Sequence, residues 1–183
     1  ATSSNDTRPG SLWALARFVD KIQQLTDYDR GVTVNVGKIT GGQGKNTVPD
    51  LAEAAIDIRF VTRADAEKLM EDIRQAAVDA AVPGTQIEIQ GGIARLPLER
   101  TAASETLMHS YGSFAKLSGL GDTEAALIGG GSDASTSSSM GIASIDGLGP
   151  RGIGFHTKDE QIEFHTLLLK AQALARFLAS LAR

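Results

Sequence analysis

The residues best suited to chemistry are few. The chain has three histidines and no cysteine, so disulfides and thiolate metal sites are excluded. His156 stands in the run Gly154-Phe-His-Thr-Lys-Asp-Glu160, after a glycine-rich loop and ahead of an expected helix. A scaffold presents side chains to a cleft from such places. A neutral imidazole is a good zinc ligand, but zinc needs at least three protein ligands. From spacing alone, a solvated loop histidine is the stronger reading. Thr157 is expected to cap the segment that follows, with Glu160 three residues on completing a capping box. His109 and His165 fall within helical patterns and read as structural.

Two further stretches stand out. In Gly129-Gly-Gly-Ser-Asp-Ala-Ser135, three glycines after an apolar run let backbone N–H groups approach an anion at a helix start. A tight turn with Asp133 as N-cap explains the same residues equally well. The lysine of a P-loop is absent, and no Gly-x-Ser-x-Gly elbow exists, which removes a serine hydrolase of that type. Arg59 projects from the polar face of an expected strand, and Asn46 sits at the edge of the loop before it. A guanidinium fork suits a carboxylate. A surface arginine paired with Asp57 or Glu53 is the default alternative.

Elements must position these residues. Ser11 to Leu25 reads as an amphipathic helix, with Leu12, Leu15, Phe18, Val19, Ile22 and Leu25 on one stripe. Val32, Val34 and Val36 alternate with polar residues as a half-buried strand, and Ala54 to Val61 does the same around Ile56, Ile58 and Phe60. Ala64 to Ala80 is a second helix, stopped by Val82-Pro83-Gly84. Thr85 to Gln90 reads as a third strand. Helix, strand, strand, helix, strand is a split β-α-β order of ferredoxin-like type without its first strand. After a crossover at Leu96-Pro97-Leu98, Ser104 to Leu117 is a helix. Glu124 to Ile128 and Ile142 to Ile145 read as short buried strands, and Glu163 to Ala182 as a long final helix. That succession implies a piece of an α/β sheet.

Composition sets the outer limits. Of the 183 residues, 42% are hydrophobic and 22% charged, enough to bury a core. The net charge of -4 argues against a nucleic-acid surface or a basic membrane patch. No apolar run reaches the ~20 residues of a membrane span. Residues 1–10 lack a signal-peptide pattern, and either cytoplasm or periplasm suits a cysteine-free chain. With no initiator Met, the sequence is expected to begin inside a longer product or after a tag.

Taken in order, Gly31-Val-Thr-Val-Asn-Val-Gly37, Gly41-Gly42, Lys45-Asn-Thr-Val-Pro-Asp50 and Ile56-Asp-Ile-Arg59 resemble the lid of the aminoacylase/glutamate carboxypeptidase-type zinc metallopeptidases, peptidase family M-twenty. Gly129-Gly-Gly-Ser-Asp133 resembles that family's glycine-Asp turn, and Gly152 to Glu160 its C-terminal zinc-ligand segment. The resemblance implies a ferredoxin-like dimerisation domain over residues 1–94 and the C-terminal portion of an α/β catalytic domain over 95–183. It implies a substrate-binding role for Arg59, Asn46 and Arg95, and for Gly130 and Gly131 through their backbone. It makes His156 a zinc ligand, one of the set that holds two zinc ions in the intact enzyme.

The same resemblance shows departures. The family's His-x-Asp motif, bridging Asp, paired glutamates and a further acidic ligand belong to an N-terminal half with no counterpart here, so the general base is missing. Residues 1–10 contain no histidine to match the lid histidine, and Gly10-Ser-Leu-Trp13 is shorter than the family's usual entry to the first lid helix. The expected function is part of a zinc amidohydrolase cleaving an amide bond beside a free carboxylate, inactive alone, with the lid forming a homodimer and the missing half as partner. The alternative is a non-catalytic dimerisation or ligand-binding module of the same descent. A ferredoxin-like regulatory domain is a third reading, but it leaves the His156 segment unexplained.

Overall fold

A computed structural model of the chain describes residues 10–182. The expectations about residues 1–9, including the start of the lid, lie outside the described residues. The chain forms two compact units, Ala1–Pro97 and Leu98–Arg183.

The first unit is built from α1 (Ser11–Gln23), β1 (Thr33–Gly41), β2 (Ala52–Arg59) and α2 (Arg63–Ala80). Apolar residues at helical spacing give α1 a buried stripe of Ala14, Leu15, Phe18 and Ile22. The stripe on α2 runs from Ala66 through Leu69, Met70 and Ile73 to Ala80. The two strands pair antiparallel, Val34 opposite Ile58 and Val36 opposite Ile56. This period-two alternation turns their apolar face onto both helices. The opposite face carries Thr33, Asn35, Asp57 and Arg59. A bulge between Val36 and Lys38 shifts the register toward the loop end. Thr62 caps α2 by accepting from the Asp65 N–H at 3.0 Å. Pro83 cannot continue that helix, and Gly84 turns the chain at φ +85°.

The expected third strand is not one. Ile87 and Ile89 alternate with polar residues and pack against the core, but residues 85–90 join no ladder among the described residues. Alternation reports which face is covered. A strand also needs a neighbour's N–H and C=O groups, which no described segment offers here.

In the second unit, α3 (Ala102–Leu117) and α5 (Phe164–Leu181) pack around Tyr111, Ala115, Ala173 and Phe177. The Tyr111 and Phe177 rings meet edge to face, centroids 5.9 Å apart. Arg176 clamps the end of α3, donating to the Leu117 carbonyl at 3.0 Å and the Ser118 hydroxyl at 2.9 Å. A six-residue helix α4 (Ala134–Ser139) and a two-residue hairpin, β3 (Gly152–Ile153) with β4 (Gln161–Ile162), complete the unit.

Both expected buried strands of this unit are overturned. Residues 124–128 and 142–145 have no strand partner among the described residues. Leu127 and Ile128 are 77% and 75% exposed. A continuous apolar run marks a strand covered on both faces, but covering layers must exist, and no described segment of this chain supplies them. Likewise α5 buries Thr166, Ala173 and Phe177 and leaves Leu167, Leu168, Leu178 and Leu181 exposed. The architecture is a mixture of helices and strands, with small antiparallel hairpins against packed helices. No helix among the described residues is long and apolar enough to cross a membrane.

Candidate functional site

His156 sits at the tip of the β3–β4 hairpin, before a strand rather than a helix. Its backbone is left-handed at φ +65°, the one non-glycine residue so placed among the described residues. That conformation costs a non-glycine residue on the order of 1 kcal/mol. The turn holds it there from both sides. Gly154 takes φ +74°, and a Cβ on it would stand 2.8 Å from the Asp159 carbonyl oxygen. The Thr157 hydroxyl donates to the Gly154 carbonyl at 2.7 Å and accepts from the Asp159 N–H at 3.2 Å. Thr157 thus closes the turn and caps no helix. The capping box is overturned, since the next helix begins at Phe164 behind Glu163, without a side-chain cap.

The base of the hairpin is pinned to α5. Thr166, 1% exposed, accepts from the Arg151 N–H at 2.9 Å and donates to the Glu163 carbonyl at 2.7 Å. The Glu163 N–H bonds the Arg151 carbonyl at 2.8 Å. The result is an exposed imidazole on a fixed turn, flanked by Lys158, Asp159 and Glu160, all exposed. Among the described residues no group of three or more His, Cys, Asp or Glu side chains is gathered to hold a metal ion. His156 is a single imidazole donor with no companion ligands gathered around it among the described residues, whereas a zinc site needs at least three protein ligands.

The glycine run 129–131 is exposed, and a Cβ on Gly130 would meet nothing nearer than Ile128 at 4.0 Å. Asp133 occupies the N-cap position of α4 but makes no side-chain cap. Ser132 does that work instead, its hydroxyl accepting from the Ala134 N–H at 3.1 Å and its carbonyl from the Ser135 hydroxyl at 2.7 Å.

In the first unit, Arg59 donates from Nε to the Asp57 carboxylate at 3.1 Å, an exposed pair two residues apart on one strand face. This is the surface pairing that strand alternation allows. Arg59 lies opposite Thr33 at one end of the hairpin, whereas Asn46 lies in the loop beyond the other end, where Gly41 faces Ala52. Those ends are about 23 Å apart at roughly 3.3 Å per residue. Within one copy the two side chains do not converge. Arg95 is exposed on the segment that follows residues 85–90.

Asn46 has other company. It lines an open cleft of about 490 Å³ with Trp13, Lys45, Val48 and Pro49. The Ser11 N–H donates to the Pro49 carbonyl at 2.9 Å and ties this loop to the start of α1. Trp13 is 56% exposed. Lys45 heads the Lys45-Asn-Thr-Val-Pro-Asp50 stretch and Trp13 closes Gly10-Ser-Leu-Trp13, yet motif alone singles out neither as a site residue. The available signal was a large aromatic residue lying off the apolar stripe of α1.

Residues 3–85 match the family model of the peptidase dimerisation domain. That match lies within the first unit and makes it similar to the dimerisation domain of M20 peptidases. A homolog of one p-aminobenzoyl-glutamate hydrolase chain, from Haemophilus influenzae, is 31% identical over 68 residues, which is 37% of this chain and 16% of that protein. The fold extends the likeness past the dimerisation domain. A dinuclear metal-binding M20 peptidase from Bacillus subtilis superposes over 92% of this chain and 45% of its own, with TM-score 0.71 and 19% identity. A tripeptidase from Staphylococcus aureus covers 96% of this chain, with TM-score 0.76 and 22% identity. The aminopeptidase PepT from Bacillus cereus covers 99%, with TM-score 0.77 and 19% identity. The chain spans 46% and 48% of those two structures, so it is about half the length of the peptidases whose fold it shares.

Proposed function

We propose that this chain is the lid, residues 1–94, and the C-terminal part of the catalytic domain, residues 95–183, of a zinc-dependent amidohydrolase. Its substrate would carry a free carboxylate beside the scissile amide, as in a C-terminal glutamate or an N-acyl amino acid. The observation that carries the reading is a dimerisation domain joined in one chain to an exposed histidine fixed at positive φ. Residues held in sparsely populated backbone regions cluster at active sites and ligand clamps. His156 would supply one imidazole to the metal site. Zinc, when bound, supplies an activated water for attack on the carbonyl. The proton-accepting glutamate would come from a part of the protein outside this chain.

The separation of Arg59 from Asn46 gives the reading a specific form. For both to reach one substrate, they must come from different copies, as a two-fold dimer permits. Arg59 would hold the substrate carboxylate and Asn46 the developing oxyanion. Arg95 and the exposed backbone of Gly130 and Gly131 would line the remainder of the pocket.

The test uses the full-length protein that carries this chain. His156→Ala is expected to lose bound metal and nearly all activity, and a fully active variant would refute the assignment. Arg59→Ala and Asn46→Ala should each be inactive. Mixed and re-equilibrated one to one, they should recover about a quarter of wild-type activity, because half the dimers are mixed and each has one intact site. No recovery would mean that the two residues do not act across copies.

A further inference from the structure

We propose that Ser137 and Ser144 form a hydroxyl bridge that positions the glycine run 129–131 against the substrate. The run has little of its own to hold it. It is exposed, and a Cβ on Gly130 would find only Ile128, at 4.0 Å. Its placement is inherited from α4, to which Ser132 staples it through the Ala134 N–H and the Ser135 hydroxyl. Helices ordinarily dock by burying an apolar face. With the sequence Ala-Ser-Thr-Ser-Ser-Ser, α4 has no such face, and its one buried residue is Ser135. Polar bonds must hold it instead.

The half-buried Ser137 hydroxyl lies 2.7 Å from that of Ser144. Ser144 is buried, and its N–H donates to the Ser104 hydroxyl at 3.3 Å. Ser104 belongs to the capped first turn of α3, where the Thr101 hydroxyl donates to it at 3.1 Å. A path of hydrogen bonds thus runs from the glycine run through α4 and Ser144 to α3, which is itself packed on α5. Each serine of the bridge also has a local carbonyl within reach, Ile142 for Ser144 at 2.9 Å and Ala134 for Ser137 at 3.0 Å. Removing one hydroxyl therefore leaves the other with a partner, and what is lost is the bridge. The proposal deepens the hydrolase reading and rests on it for one thing, that the glycine run contacts substrate.

The test compares Ser137→Ala, Ser144→Ala, the double variant and Ser137→Thr in the full-length protein that carries this chain. Each alanine variant should raise KM by about fivefold, with kcat and bound metal within about twofold of wild type, because the displaced backbone serves binding and not the metal. Two partners in one bridge are not additive. The double variant should therefore also lose about fivefold, not about 25-fold. Ser137→Thr keeps the hydroxyl and should stay within about twofold of wild type. An unchanged KM in the single variants would overturn the proposal. So would additive losses, or threonine as damaging as alanine. Amide hydrogen exchange across residues 132–136 decides the bridge without any reaction. It should be about fivefold faster in each alanine variant, and equal exchange would overturn the bridge. A wild-type protein that cleaves no such amide would instead sink the hydrolase reading, and exchange would still show whether the bridge holds the loop.

Discussion

Thr166→Val tests how His156 is held. Valine keeps the shape of threonine, so the loss is almost purely that of one buried hydroxyl. The hydroxyl does two things, accepting from the Arg151 N–H and donating to the Glu163 carbonyl. The second loss is small, because the Thr166 N–H still bonds the same carbonyl at 2.9 Å. The first leaves the Arg151 N–H without an acceptor against a 1% exposed side chain. An unsatisfied buried donor costs about 1–3 kcal/mol. The middle of that range, about 2 kcal/mol, corresponds to a roughly 30-fold larger open population of the hairpin base. Amide hydrogen exchange at Arg151 in the 183-residue chain reads this opening. Thr166→Ser retains the hydroxyl and should exchange within a few-fold of wild type. Equal protection in Thr166→Val and wild type would refute the reasoning. So would serine as damaging as valine, which would place the effect in packing.

At the tip, His156→Gly should relieve the left-handed strain and hold or raise local stability by up to about 1 kcal/mol. His156→Val should lower it, as hydrogen exchange across residues 152–162 would show. In the first unit, Ile22→Ala should cost about 2–5 kcal/mol in urea unfolding, because Ile22 is fully buried and its removal leaves a cavity. Asp65 gives a pH dependence. The Thr62 hydroxyl first, and the Arg30 guanidinium second, hold its carboxyl below the usual carboxylate range. Its contribution is therefore complete above the unfolded-state pKa and is lost as pH falls through the lower folded value. Stability of Asp65→Asn should change less steeply with pH across that acid window than wild type, and an identical slope would sink the idea.

Much of the first unit was legible in the sequence, because its elements bury their faces within the chain. The stripe from Leu15 to Ile22, the alternation of Val32, Val34 and Val36, and the stop at Pro83-Gly84 all emerge as local rules require. The strands expected in the second unit fail for one physical reason. Residues 124–128 and 142–145 carry the apolar pattern of covered strands, and pattern states what a segment needs rather than what is beside it.

The candidate site divides along the same line. Residue type and order determined which groups can do chemistry: one loop imidazole, an arginine on a polar strand face, and an asparagine in a loop. Only the tertiary structure decided who stands with whom. It placed Arg59 at the far end of the hairpin from Asn46, with only the Asp57 partner that strand alternation had already offered. It gave Asn46 the company of Trp13 and Lys45, and set His156 on a strained turn pinned by Thr166. Spacing along a chain fixes direction within a helix or strand, but proximity between elements is set by packing and hydrogen bonding across them.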